Sequence, residues 1–309
     1  MYKYFTAACV CFFIASTCPS QTVAPVKYKD LVFTDVTLTK NLQYKAGTYE
    51  DSIKKFHLFD LYQPSGDSAI PYRPLIIWMH GGGFKFGTKN TNSVELWSKT
   101  FAQRGYLCAN INYSLSKKHP LAHFSDLVEG CAAAVQDAEQ AVVFFKKNYK
   151  LYRIDTNKII LAGNSAGGMT ALQAVYASPN DMAKLANAAD TNTYSTAYNP
   201  AKIAAVISFW GAIFDIDWLK NGRVPIVCVH GSNDHIVHIG HQHSPFYGSE
   251  AIHTAADSLH IPNRIKIYNG FGHELQKHFN PFHKSAATKK RWLEAGQFAA
   301  DFLYGVLYK

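Results

Sequence analysis

Apolar and polar positions along the chain follow two rhythms that take turns from about Lys27 onwards. Phe56 to Tyr62, Leu75 to Met79 and Tyr106 to Tyr113 are short apolar runs with the length and β-rich content of buried strands. Ile159 to Ala162, Ile203 to Phe209, Val224 to Val229 and Arg264 to Tyr268 repeat that pattern further along. Between them the spacing changes to three and four residues. Asp126 to Asn148 places Val135, Ala138, Val142 and Phe145 on one helical face, and Met169 to Tyr176 and Ser249 to Leu259 also read as helices. Arg291 to Leu307 closes the chain as an amphipathic helix directing Trp292, Phe298, Phe302 and Leu303 inward.

Strands alternating with helices predict an α/β fold with a mostly parallel central sheet and helices on both faces. The strands between Leu31 and Tyr62 come without intervening helices, which predicts an antiparallel edge. The polar stretch from Ser178 to Asn199 is the one sizeable insertion, a candidate small lid between a helix and a strand.

Composition narrows the picture. The 309 residues are 48% hydrophobic and 17% charged, enough to bury a large core. Residues 1–20 carry Lys3, an apolar run from Phe5 to Ala15, and small residues up to Ser20, the layout of a secretory signal. Residues 21–309 are then expected to form one domain, secreted or periplasmic. A lipidated Cys18 fits less well, with Thr17 before it and Pro19 after it, so no stable membrane anchor is expected. Six cysteines fall to three after cleavage, and Cys108, Cys131 and Cys228 are expected as buried thiols, with a Cys108–Cys131 bridge as the alternative. The net charge of +9 is scattered in short clusters and comes with no nucleic-acid-binding motif.

The chemistry concentrates at three strand ends. Gly163-Asn164-Ser165-Ala166-Gly167-Gly168 has the G-x-S-x-G form, with a strand before it and a helix after it. That context holds a serine on a sharp, strained turn with its hydroxyl exposed. His80-Gly81-Gly82-Gly83-Phe84 follows the strand Leu75 to Met79. Its Gly82 and Gly83 N–H groups are candidates to join that of Ala166 in an oxyanion hole. A nucleophilic serine also needs a base and an orienting acid. Among 14 histidines, His273 in Gly270-Phe271-Gly272-His273 sits where a strand-end loop can reach over the sheet. Asp234, after the strand Val224 to Val229, is the candidate acid, with Asp215 and Asp217 as rivals. Phe84, Phe209 and Trp210 are candidates to line the substrate pocket, although packing at a strand end explains Phe209 and Trp210 equally well. His230, His235, His238, His241 and His243 crowd one loop, but they lack the helical pair or cysteine partner of a metal site, and none is expected.

With these motifs in place, the chain resembles the α/β-hydrolase esterases, in particular the branch of hormone-sensitive-lipase-like and small bacterial carboxylesterases. The resemblance rests on His80 to Gly83, Gly163 to Gly168, Asp234 and His273. Tyr113 with His119-Pro120 and the Arg153-Ile154-Asp155 turn fit it too. It implies acyl transfer to water without a cofactor, on a small-molecule or polysaccharide-linked ester. Asn164 stands where the family usually carries Asp, Ser114 where it often carries Arg, and the cap is small or absent. An amidase or peptidase with the same triad is the runner-up. A non-catalytic binding protein of this fold is the remaining alternative.

Overall fold

The computed structural model describes residues 1, 24–45, 56–67, 70–185, 203–242 and 244–309. Residues 2–20 of the expected signal segment, His243 and residues 186–199 of the candidate lid lie outside the described residues.

The described residues build an eight-stranded sheet from β1 (Val36–Gln43), β2 (Leu58–Pro64), β3 (Arg73–Met79), β4 (Leu107–Ile111), β5 (Ile154–Asn164), β6 (Ala205–Phe209), β7 (Ile226–Gly231) and β8 (Asn263–Tyr268). Their spatial order is β1-β2-β4-β3-β5-β6-β7-β8. From β4 to β8 every neighbouring pair is parallel. β2 pairs antiparallel with both β4 and β1, so the expected antiparallel edge is present.

The α-helices longer than a single turn are α1 (Asn92–Gln103), α2 (Phe124–Lys147), α3 (Ala166–Tyr176), α4 (Pro179–Leu185), α5 (Ser249–Ser258) and α6 (Ala286–Leu307). Helix α1 has no counterpart among the elements expected from sequence. Its Val94, Trp97, Phe101 and Ala102 are nevertheless buried at helical spacing.

Strict alternation along the strands divides the core into two layers. Leu75, Ile77 and Met79 of β3 and Ile159 and Leu161 of β5 face the layer that also holds α2, α3 and Ile252 of α5. Ile76, Trp78, Ile160 and Ala162 face the other layer, built with α1 and α6. The α/β-hydrolase fold is therefore covered on both faces. A parallel sheet needs that, because its strands are apolar on both sides.

Helix α4 occupies the start of the candidate lid, and its Met182 packs into the layer containing α2. Cys108, Cys131 and Cys228 are buried free thiols. Cys108 and Cys131 belong to opposite layers of the core, so the alternative bridge does not form. Among the described residues no helix is long and apolar enough to cross a membrane.

Candidate active site

Ser165, Asp234 and His273 stand on the turns that leave the C-terminal ends of β5, β7 and β8, and the fold gathers them at one edge of the sheet. Ser165 holds φ 52° and ψ −120°, a conformation that costs a non-glycine residue on the order of 1–3 kcal/mol. The turn is fixed on both sides. The Ser165 N–H donates to the Phe209 carbonyl at 2.9 Å, and the Ser165 carbonyl accepts from Met169 at 2.9 Å as α3 begins. Strand β5 thus ends in a strained corner that projects the hydroxyl.

The two partner loops are laced together. Asn233 N–H donates to the Phe271 carbonyl at 2.9 Å, and Ser232 N–H donates to Tyr268 at 3.1 Å. Helix α6 grips the second loop, with Trp292 Nε1–H donating to the Glu274 carbonyl at 2.9 Å and Arg291 Nε–H to the Leu275 carbonyl at 2.8 Å. Asp234 and His273 consequently meet at a fixed separation.

His273 Nδ1 lies 2.8 Å from Asp234 Oδ2, and His273 Nε2 lies 3.0 Å from Ser165 Oγ. A carboxylate only accepts, so Nδ1 carries the proton and Nε2 is free to accept from the serine hydroxyl. Asp234 Oδ1 accepts from the backbone N–H groups of Ile236 and Val237, each at 2.9 Å. Burial alone would raise the Asp234 carboxyl. Its hydrogen bonds from His230 and His273, and their charge, outweigh that and hold it well below the usual carboxylate range. The rival acids are placed elsewhere. Asp215 caps the turn at Ile216–Asn221 and Asp217 pairs with Lys220, both at the surface.

The glycine loop after β3 borders the same serine. Gly82 has φ 116°, and a side chain there would meet the Phe86 carbonyl oxygen at 2.2 Å, so only glycine fits. The loop is tied down: Tyr113 Oη–H donates to the His80 carbonyl at 2.7 Å, and Ser116 N–H donates to the Phe84 carbonyl at 2.7 Å. The His80 ring stacks on Tyr113 at 4.3 Å, and its Nδ1–H donates to the Gly81 carbonyl at 2.7 Å. Burial pushes the His80 imidazole down to about 4, against the opposing effect of that carbonyl, so the ring is neutral near pH 7. Ala166 is the first helical residue of α3, and its N–H has no carbonyl within the helix to bond. At such a helix N-terminus the dipole favours negative charge.

A cavity of about 340 Å³ opens beside Ser165, Ala166 and Gly83. Its lining is largely apolar, with Phe84, Leu121, Phe124, Leu127, Met169, Ile236, Val237 and Phe246 beside His123. Phe84 therefore lines the cavity. Phe209 and Trp210 do not. Both are fully buried in the layer with Trp78, Trp97 and Trp292, because Phe209 shares the strand parity of Ala205 and Ile207. The cavity's buried walls belong to the opposite layer.

The histidine-rich loop divides. His241 stacks on Tyr247 at 3.8 Å, and His235 and His238 pair edge-to-face at 6.3 Å. Among the described histidines of this loop His230 alone turns inward, fully buried behind Asp234. Among the described residues no group of three or more His, Cys, Asp or Glu side chains is arranged to hold a metal.

The family model BD-FAE matches residues 59–218, and the dienelactone hydrolase family model matches residues 190–303. The chain is 33% identical over 132 residues to Probable carboxylesterase 6 of Arabidopsis thaliana, covering 40% of this chain and 36% of that protein. It is 29% identical over 100 residues to Gut esterase 1 of Caenorhabditis elegans, covering 32% and 18%. The matched stretch thus spans about a third or less of these relatives' own length. Among solved structures, propionate-bound esterase 2 of Thermogutta terrifontis superposes with a TM-score of 0.61 at 18% identity, covering 87% of this chain and 94% of that one. The same esterase phosphorylated by paraoxon gives 0.58 at 19% identity, covering 88% and 95%.

Proposed function

The chain belongs to the BD-FAE family, and from that premise we propose that it is a secreted serine hydrolase that cleaves carboxylic esters through an acyl-enzyme on Ser165. The observation that carries this reading is the unbroken line Asp234–His273–Ser165, with spacings of 2.8 Å and 3.0 Å, at the mouth of an apolar cavity.

In the proposed reaction Ser165 Oγ attacks the ester carbonyl carbon while His273 Nε2 takes the hydroxyl proton. The carbonyl oxygen becomes an oxyanion beside the N–H groups of Gly82, Gly83 and Ala166, whose stabilisation is worth most in the transition state. Collapse breaks the bond to the alcohol oxygen, and the alcohol leaves with the proton that His273 returns. Water then attacks the acyl-Ser165 carbonyl, His273 takes its proton, and the acid departs as Oγ is reprotonated. Asp234 stays ionised throughout, orienting the imidazole and stabilising its charged form.

The cavity borders Gly83 and Ala166 but not His273. The leaving alcohol must lie within reach of His273 Nε2, so the acyl half belongs in the cavity and the alcohol half faces outward. The apolar walls suit an acyl group, and the outward side suits an alcohol that is part of something larger, such as a polysaccharide. The propionate- and butyrate-bound forms of the Thermogutta terrifontis esterase support a short acyl group as one that such a site accepts. The signal-like residues 1–20 support export to where such esters occur. Hydrolysis of p-nitrophenyl esters by the wild type and by Ser165→Ala tests the assignment.

A further inference from the structure

His230 is the last-but-one residue of β7 and has no exposure to solvent. Its Nε2 lies 2.9 Å from the Val237 carbonyl oxygen and 3.3 Å from Asp234 Oδ2. Its Nδ1 lies 2.7 Å from Oγ of Ser249, a buried residue at the start of α5. A carbonyl and a carboxylate only accept, so Nε2 carries the proton and Nδ1 accepts from the Ser249 hydroxyl. Val237 N–H in turn donates to Asp234 Oδ1. His230, Val237 and Asp234 therefore form a closed ring of contacts, and Val237 is also a wall of the cavity beside Ser165.

We propose that His230 is a positioning residue of the active site: held by Ser249, it clamps the Asp234 carboxylate and the Val237 turn from behind, so that Asp234 meets His273 in one orientation. The inference rests on the triad reading above. The groups facing this carboxylate are His273 from the loop after β8, His230 from β7 and the backbone of Ile236 and Val237, with Ser249 behind His230 on α5. The nearby charges Glu274 and Lys284 are paired with each other.

A donor behind Asp234 draws off part of its charge and leaves less to hold a proton on His273. Without that donor the His273 imidazolium is favoured, and the pH at which His273 becomes a competent base rises. The test compares wild type, His230→Phe, His230→Gln and Ser249→Ala by the NMR titration of His273 and by the pH profile of kcat/KM.

His230→Phe is expected to raise the His273 midpoint, and with it the acidic limb of the profile, by about half to one pH unit. It is also expected to lower kcat about tenfold while KM stays within about twofold. His230→Gln keeps a donor at the same position and is expected to return the midpoint toward wild type. A lowered melting temperature in His230→Phe with an unchanged His273 midpoint would reduce His230 to a packing residue and overturn the inference. If His230→Phe does not fold, Ser249→Ala decides the matter: a raised midpoint supports the clamp and an unchanged one refutes it. The NMR titration needs no turnover, so its failure is distinguishable from a failure of the esterase reading.

Discussion

Gly167 lies directly under Met79: a β-carbon on residue 167 would stand 2.1 Å from the Met79 carbonyl oxygen and 2.6 Å from its carbonyl carbon. The first turn of α3 therefore runs against the end of β3, which is what brings Ser165 beside the glycine loop that follows β3. Backbone cannot retreat from such a contact without moving the strand.

Gly167→Ala is accordingly expected to cost about 3 kcal/mol or more, at the upper end of overpacking effects. It should also cost activity, because Ser165 is displaced from Gly82 and Gly83. Urea unfolding of the purified variant measures the first effect. A loss under about 1 kcal/mol would mean that the contact is relieved without consequence.

His80 makes stability depend on pH. Its folded-state value of about 4 lies below the ordinary histidine value near 6.5. The unfolded chain then binds the proton first as the pH falls. The contribution is complete above pH 6.5, declines as the pH drops, and is lost by the time the folded value is reached. That window is worth about 3 kcal/mol. Unfolding free energies at pH 7, 5.5 and 4.5 should fall less steeply in His80→Gln than in wild type. Equal slopes would place the titrating group elsewhere.

The cavity assigned to the acyl group can be narrowed from α2. Leu127→Trp is expected to lower kcat/KM for p-nitrophenyl octanoate relative to the acetate by at least about tenfold, since a few methylenes in an apolar pocket carry that much discrimination. An unchanged ratio would move the acyl chain out of this cavity.

The three described cysteines are buried thiols with no bridge between Cys108 and Cys131. Alkylation followed by mass mapping should find Cys108, Cys131 and Cys228 unreactive in the folded protein and all three labelled in denaturant. A Cys108–Cys131 disulfide peptide would contradict the two-layer core.

The line Asp234–His273–Ser165 that the fold brings together was legible in the sequence because its signals are local. A strand, a glycine-flanked serine and a helix define the turn at Ser165, and Asp234 and His273 each follow a strand directly. The pocket walls were not legible. Leu121, Ile236 and Phe246 sit on loops whose course is set by tertiary contacts, and Phe124 opens α2 directly after one of them. Phe209 carried the opposite lesson, since its parity with Ala205 and Ile207 assigns it to the α1 and α6 layer and away from the cavity. His230 was hidden among the neighbouring histidines, and only its direction of burial separates it from them. Helix α1 was missed, although Val94, Trp97 and Phe101 carry helical spacing.

The central claim is that Ser165 is a nucleophile for carboxylic esters. Hydrolysis of p-nitrophenyl acetate, butyrate and octanoate by wild type beside Ser165→Ala tests it most directly. The account predicts turnover by the wild type and a fall of at least about a thousandfold in the variant, with its fold intact. Equal rates in the two proteins, or no hydrolysis of any of the three esters by either, would contradict it.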